Sequence, residues 1–182
     1  MPKLLRNIFI FLLIVIFIIA FSSSYASLSM DNLAYVLAIG IDVSDQNKLE
    51  VTFQFSTTAP ASESGSTDKT STVENSVSAS SISNAINLMN GYMGKELNMS
   101  HCKVIVFSEQ KAYEGISDEI YTLINDTQVR PSANIIVTKC DAKTYIKSTK
   151  PQLENLMSKY YEILTNSSKY TGLMPDSAIG TF

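Results

Sequence analysis

The pattern of apolar and polar positions predicts a two-stranded hairpin at 33–55. Residues 33–42 are apolar at both odd and even positions, which is typical of a strand that is covered on both faces. After a polar turn at 44–48, residues 49–55 alternate between large apolar side chains and Glu, Thr or Gln, which is typical of a half-exposed strand. We expect the two strands to pair antiparallel.

Farther along the chain, two short β-rich runs flank a helical pattern. Val104–Ser108 is too short for a helix and is built from residues that favour a buried strand, and 133–138 has the same character. Between them we expect a short helical turn at 109–114 and a helix at 118–125 that Ser117 caps. A strand, a helix and a strand in this order predict a right-handed parallel crossover.

Helical periodicity also appears on either side of this crossover. One apolar set has the i, i+3, i+4, i+7 spacing of an amphipathic helix, and glycines close it: Ile82, Ala85, Ile86, Met89, with Gly91 and Gly94. A second set predicts the strongest helix of the chain, at 153–164 after Pro151. Asp141 is expected to cap one further turn that ends at Ile146. The sequence therefore predicts a mixed α+β fold, in which helices pack on a mixed β-sheet.

Residues 57–81 interrupt these patterns. Thirteen of these 25 residues are Ser or Thr, and few apolar side chains are present to offset the entropy of ordering the segment. We predict a mobile loop, with a partner-binding flap as its functional alternative.

The first 26 residues have the pattern of an export segment. Lys3 and Arg6 precede an unbroken apolar run of 14 residues, Ile8–Phe21, and small residues follow up to Ala26. A bilayer-spanning helix needs about 20 apolar residues, so the run suits the core of a signal peptide better. We predict a signal peptide or membrane anchor at 1–26 and one globular domain at 27–182.

Charge argues against a nucleic-acid partner. Lys3 and Arg6 are two of the 14 basic residues, whereas all 17 acidic residues lie beyond Ala26, so the rest of the chain has 12 basic and 17 acidic residues and a formal charge of −5. The basic residues are scattered singly and form no basic patch.

The candidate catalytic groups do not combine into a known arrangement. His101 is the only histidine, and its neighbour Cys102 should point to the opposite face of an extended chain. The acidic pairs are better explained by helix and turn preferences than by a hydrolase site: Asp118 with Glu119, and Asp42 with Asp45. We therefore predict no catalytic and no cofactor-binding residue.

Glycine and cysteine spacing adds no ligand site. Gly40 is a lone glycine beside Asp42 and lacks the glycine-rich continuation of a phosphate loop. Cys102 and Cys140 lack the spacing of a zinc site, and each borders a predicted strand. They are either an isolated disulfide or, as we prefer, two small semi-buried residues. No metal-binding residue is predicted.

Several segments in a fixed order resemble one protein family. The segment 94–108 reads Gly-Lys-x-Leu-x-x-Ser-His followed by Lys-Val-Ile-Val, and is similar to the N-terminal domain of the Ger(x)C proteins, the C subunits of bacterial spore germinant receptors. Tyr35–Asp42 and Val51–Phe55 lie upstream in the family's order. Ala112–Ile116 and Asp126–Ala133 follow downstream. The resemblance covers roughly Leu33 to Pro175.

The resemblance implies a function that the residues alone do not. Ger(x)C proteins lack a known catalytic motif and act in spore germination with two integral membrane subunits at the inner spore membrane. They usually carry a lipidated cysteine just after the apolar core, whereas this chain has serines after Phe21 and no cysteine before Cys102. We therefore expect no lipidation, and either an uncleaved helix or protein partners would hold the chain at the outer face of the membrane. The later domains of the family are expected to be absent. The alternative is a secreted small-molecule binding protein or a degenerate hydrolase, for which a pocket with convergent polar groups is needed.

Overall fold

The computed structural model describes residues 3–22, 32–44, 48–57, 71–172 and 175–182. The chain forms two compact units, Met1–Asn32 and Leu33–Phe182. The first unit contains helix α1, Lys3–Ser22, which includes the predicted apolar run. Among the described residues, no helix has both the length and the apolar character needed to cross a membrane.

The second unit combines strands and helices. Its strands are β1 Leu33–Ser44, β2 Lys48–Thr57, β3 Ser71–Ala79, β4 Glu96–Asn98, β5 Val104–Ser108 and β6 Asn134–Thr138. Its helices are α2 Ile82–Met93, α3 Glu109–Glu114, α4 Ser117–Asn125, α5 Ala142–Ser148, α6 Met157–Asn166 and α7 Ser168–Thr171, with a 3-10 turn at Ile179–Thr181.

The strands form one mixed sheet in the order β3-β2-β1-β5-β6, and β4 pairs with β1. β1 and β2 form the predicted antiparallel hairpin. β5 is parallel both to β1 and to β6, so the predicted parallel crossover through α4 is confirmed. The mixed α+β fold is therefore confirmed.

Helices cover both faces of the sheet. One core contains Ile39, Phe53 and Phe107 and packs under α2 and α4. The other contains Val104 and Val106 and packs under α5 and α6. Because strands β1 and β5 lie in the middle of the sheet, they are buried on both faces. This confirms the two-sided burial predicted for β1 and the prediction that β5 is a buried strand.

The prediction that β2 is half exposed is wrong. Thr52 and Gln54 are fully buried, because α5 packs on β2 and Tyr161 of α6 reaches Gln54. The Tyr161 hydroxyl donates a hydrogen bond of 2.9 Å to Gln54 Oε1, and Gln54 Nε2 donates to Glu74 Oε1 at 2.9 Å. A buried polar side chain needs such partners, and here the helix and the neighbouring strand supply them.

The predicted mobile loop at 57–81 is wrong for 71–79, which form strand β3 paired antiparallel with β2. Residues 58–70 lie outside the described residues. The strand adds hydroxyl contacts with β2 to the core contacts of Val77 and Ala79. Thr52 and Ser76 share a hydrogen bond of 2.9 Å, and Thr57 and Ser71 share one of 2.7 Å. Cross-strand Thr and Ser pairs of this kind contribute to the stability of a sheet.

Two predicted helix starts are also wrong. Ser117 is the first residue of α4 rather than its cap, and Ile116 occupies the cap position without a side-chain hydrogen bond. The helix predicted at 153–164 begins only at Met157. Leu153 is 98% exposed, whereas Met157 and Tyr161 are buried. By contrast, α2 begins where expected, with Ser81 accepting a hydrogen bond from the backbone N–H of Asn84 and Gly94 at its C-terminal end.

Candidate functional site

The segment Gly40–Asp42 fixes helix α5 on the sheet. A Cβ atom at Gly40 would lie 2.8 Å from Ile146 Cδ1 and 3.3 Å from Ala142 Cβ, so only glycine leaves room for the helix. The Asp42 carboxylate accepts hydrogen bonds from the backbone N–H groups of Ala142, at 2.7 Å, and Lys143, at 3.0 Å. The segment is therefore a helix-docking motif.

The prediction that Asp141 caps α5 is wrong in its mechanism. Asp141 occupies the cap position but makes no side-chain hydrogen bond there, because the two N–H groups are already bonded to Asp42. A second contact ties the same helix end to the hairpin, since the ammonium of Lys143 pairs with Glu50. Asp42 is buried, so its carboxylate has a structural task and is not available to a substrate.

His101 lies in the turn before β5 and is exposed. The rings of His101 and Tyr35 form a T-shaped contact, with their centroids 5.3 Å apart. The turn itself is held by Asn98 Oδ1, which accepts the backbone N–H of Ser100 at 3.1 Å. The described contacts of His101 are thus aromatic and do not join it to an acid.

A cavity of about 520 Å³ lies where β1 ends and β2, α2, α3 and α4 meet. We call it the Lys111–Glu119 cavity. Its lining is Val43, Lys48, Leu49, Ser80, Ser81, Ile82, Lys111, Glu114, Asp118, Glu119 and Thr122. This lining, taken over the described residues, contains three acids and does not include His101.

An ion pair lies in the wall of this cavity. Lys111 Nζ is 2.9 Å from Glu119 Oε1, and both residues are more than nine-tenths buried. From the sequence, Glu119 was explained only by the helix dipole, which favours an acid in the first turn of a helix. The ion pair with Lys111 was missed because Lys111 belongs to another helix. No signal in the spacing of the two residues points to their contact, since the end of α3 at Gly115 lies between them.

The comparisons with known proteins decide the family. The family model described as the spore germination protein N-terminal domain matches residues 27–182, which is well over half of the chain. The chain belongs to the Ger(x)C family of spore germination proteins. Searches of curated proteins and of solved structures gave no significant match. A role in spore germination follows from the family.

Three of the segments that resemble Ger(x)C proteins occupy the centre of the domain. Tyr35–Asp42 is most of β1, the central strand, and Val51–Phe55 is its hairpin partner. Gly94–Ser108 supplies β4 and β5, which both pair with β1. These three segments thus build the framework of the fold, whereas Ala112–Ile116 contributes Glu114 to the lining of the Lys111–Glu119 cavity.

The two cysteines of this Ger(x)C domain are free. Cys102 precedes β5, and Cys140 follows β6. Because β5 and β6 are parallel neighbours, the two cysteines lie at opposite ends of this strand pair, and the disulfide alternative is wrong. Cys102 is buried, and burial raises the pKa of its thiol from 9.0 to about 12. Its Sγ donates a hydrogen bond of 3.5 Å to the Val104 carbonyl. Cys140 is exposed, so only Cys102 is a small buried side chain. Ser22 is the last residue of α1, and the residues that follow it, 23–31, lie outside the described residues.

Proposed function

We propose that this chain is a non-catalytic subunit of a nutrient germinant receptor and acts by docking to two integral membrane subunits. It would work at the outer face of the inner spore membrane, held there by an uncleaved helix or through its partners. The observation that carries the proposal is the Ger(x)C family match over residues 27–182. The position of the family segments in the framework of the domain is consistent with a structural rather than a catalytic role.

The outer side of α2 and α4 supports docking. Leu88 and Tyr92 are one helical turn apart on α2, and Tyr121 and Ile124 are three residues apart on α4. Tyr92 is 78% exposed and Tyr121 is 73% exposed, while the opposite sides of both helices pack on the sheet. Tyrosine is enriched at protein interfaces because it combines a large apolar ring with a polar hydroxyl.

The rival function needs a pocket in which His101 and acids converge. The Lys111–Glu119 cavity brings acids together, but His101 is not in its lining and instead contacts Tyr35. This arrangement favours docking over a degenerate hydrolase. If the chain had a hydrolytic activity that His101→Ala abolished, the hydrolase interpretation would replace the receptor proposal.

A germination assay tests the proposal. Deleting the gene should slow germination triggered by nutrients and leave germination by non-nutrient agents intact. The comparison should include any longer form encoded at the same locus. Normal nutrient germination after deletion of every such form, in a strain without a paralogue, would refute the receptor role.

A second experiment tests the docking surface. The chain should co-purify with integral membrane proteins from spore membranes, and the double variant Tyr92→Ser, Tyr121→Ser should reduce this recovery. Tyr170→Ser is the matched control, because Tyr170 is 88% exposed but lies on α7. Equal loss in the control, or no loss in the double variant, would show that the outer side of α2 and α4 is not the docking surface.

A further inference from the structure

The two edges of the sheet differ in how they are covered. Strand β6 forms one edge, and the chain's own segment 177–179 lies along it. The N–H of Ile135 donates to the Ser177 carbonyl at 2.9 Å, and the N–H of Ile179 donates to the Ala133 carbonyl at 2.8 Å. Strand β3 forms the other edge. In the described part of the chain, β3 pairs only with β2, so its outer edge has no backbone partner there.

Strand β3 lacks the features that usually protect an edge. Exposed edge strands are commonly short, bulged or rich in lysine and proline, because their open N–H and C=O groups attract another strand. β3 is nine residues long, contains neither lysine nor proline, and pairs with β2 in one unbroken register from Ser71 to Ala79. Its single charge, on Glu74, is engaged within the sheet, where Oε1 accepts hydrogen bonds from Gln54 and Thr72. The edge of β3 is therefore open over about 30 Å.

The sequence of β3 is complementary to itself about Asn75. A second copy related by a two-fold axis perpendicular to the sheet adds its β3 antiparallel to the first, and opposing residues then point to the same face. With Asn75 on the axis, apolar residues oppose each other, hydroxyls oppose each other, and the one carboxylate opposes a hydroxyl donor. The pairs are Val73 with Val77, Thr72 with Ser78, and Glu74 with Ser76. Cross-strand pairs of these kinds favour association, and a Thr–Ser pair already joins β3 to β2.

The two nearest registers are less favourable. With Glu74 on the axis, the two Glu74 carboxylates oppose each other, which is destabilising. With Ser76 on the axis, the amide of Asn75 opposes the apolar side chain of Val77. The strand therefore specifies one register with a second copy of itself.

We propose that β3 is a self-association edge, at which two copies of this chain join their sheets into one continuous sheet across a two-fold axis at Asn75. The new strand pair satisfies the open N–H and C=O groups of both edges. It also covers the Val73 side chain, which is 43% exposed, with Val77 of the second copy. This edge is a different surface from the outer side of α2 and α4, so the inference goes beyond the proposed docking function.

Cysteine cross-linking tests the register. The full chain in dodecyl maltoside micelles is used, with both native thiols removed by Cys102→Ala and Cys140→Ala. In that background Asn75→Cys places two thiols directly opposite each other, at a Cα separation of about 4.5–5.5 Å, which a disulfide spans. Mild oxidation should therefore link the chain into a covalent dimer.

Val73→Cys is the matched control in the same background. Two copies of residue 73 lie about 14 Å apart along the paired strands, too far for a disulfide, so this variant alone should stay monomeric. Mixed with Val77→Cys, it should form the mixed disulfide dimer, because residue 73 then opposes residue 77.

Charge variants test the edge itself. Val73→Lys places an ammonium group against Val77 in both halves of the interface, and should weaken the dimer at least about tenfold in sedimentation equilibrium of the full chain in the same micelles. Val137→Lys is the control, because Val137 is 52% exposed on the opposite edge strand, β6. Both variants keep α1, so any association through that helix would affect them equally.

Three results would overturn the proposal. The first is the absence of linkage in Asn75→Cys, which would mean that β3 is free or pairs with a different protein. The second is equal linkage of Val73→Cys alone, which would indicate random collision or another register. The third is equal weakening of the dimer by Val73→Lys and Val137→Lys. If Val73→Lys fails to fold, the cross-linking results decide. A failure here leaves the docking proposal standing, because germination and co-purification are measured separately.

Discussion

Asp42, at the end of the central strand, bonds both of its carboxylate oxygens to the first turn of α5, with Oδ1 2.7 Å from the backbone nitrogen of Ala142, 100 residues away. Asp42→Ala leaves two N–H groups of a partly buried helix end without acceptors. We expect a loss of about 1–3 kcal/mol in the free energy of unfolding, measured by urea denaturation.

Asp141→Ala is the matched control for this prediction. Asp141 is exposed at the cap position and makes no capping hydrogen bond, so its replacement should change the free energy of unfolding by less than about 0.5 kcal/mol. Equal losses in the two variants would mean that Asp42 is not the cap of α5.

Replacement by alanine should change the stability of the domain in opposite directions at Gly40, which lies close to α5, and at Gly91, which has free space around it. Gly40→Ala should destabilise the domain by about 1–3 kcal/mol, because the added methyl group meets the buried Ile146 and Ala142. Gly91→Ala should stabilise it by about 0.5–1 kcal/mol, because a Cβ there meets nothing within 4 Å and alanine favours a helix.

A double variant identifies the contact that carries the cost at Gly40. Ile146→Val removes the Cδ1 atom that lies nearest to the added methyl group, so Gly40→Ala should cost less in that background. Strictly additive losses would show that Ile146 is not responsible.

The fold was predictable wherever local periodicity carries the information. The β1–β2 hairpin, the buried strand β5 and helix α2 follow from spacing within a few residues. Strand β3 was missed because its low apolar content argued for disorder, whereas its hydroxyl groups bond to β2. The periodicity of α6 gave its buried face correctly, but periodicity does not fix where a helix begins.

The candidate site was less predictable because its contacts are not local. Asp141 has the sequence position of a cap, and only the assembled sheet brings Asp42 to the same helix end. Glu119 likewise looked like an ordinary acid in the first turn of a helix. It pairs with Lys111 in the preceding helix, and the sequence neighbours of neither residue reveal that contact.

Strand β5 should not tolerate a charge. Ile105 is fully buried between β1 and β6, so Ile105→Asp places an unpaired carboxylate in the core. We expect a loss of at least about 4 kcal/mol, enough to unfold a marginal domain. His101→Ala removes only an exposed ring contact and should cost at most about 1 kcal/mol. Similar melting temperatures for the two variants would contradict the burial of β5.

The chain should not be lipidated. Acylation of a lipoprotein needs a cysteine after the apolar core, whereas serines follow Phe21 and the first cysteine, Cys102, is buried. Metabolic labelling with a palmitate analogue should therefore leave the protein unlabelled. Phe21→Cys, which places a thiol directly after Ala20, is the positive control. Incorporation into the unaltered chain would refute the prediction.

The buried thiol of Cys102 should make the domain less stable at alkaline pH. Its pKa is raised from 9.0 to about 12 by burial, so the folded state keeps the proton at a pH where the unfolded chain releases it. A raised pKa contributes stability that is complete below the unfolded value and is lost as the pH rises from about 9 to about 12. From about pH 8 to about pH 10, the unaltered chain should lose about 1.4 kcal/mol more than Cys102→Ala in urea unfolding. Cys140→Ala, which removes an exposed thiol, should behave like the unaltered chain. An identical pH dependence in Cys102→Ala and Cys140→Ala would show that Cys102 titrates alike in the folded and unfolded states.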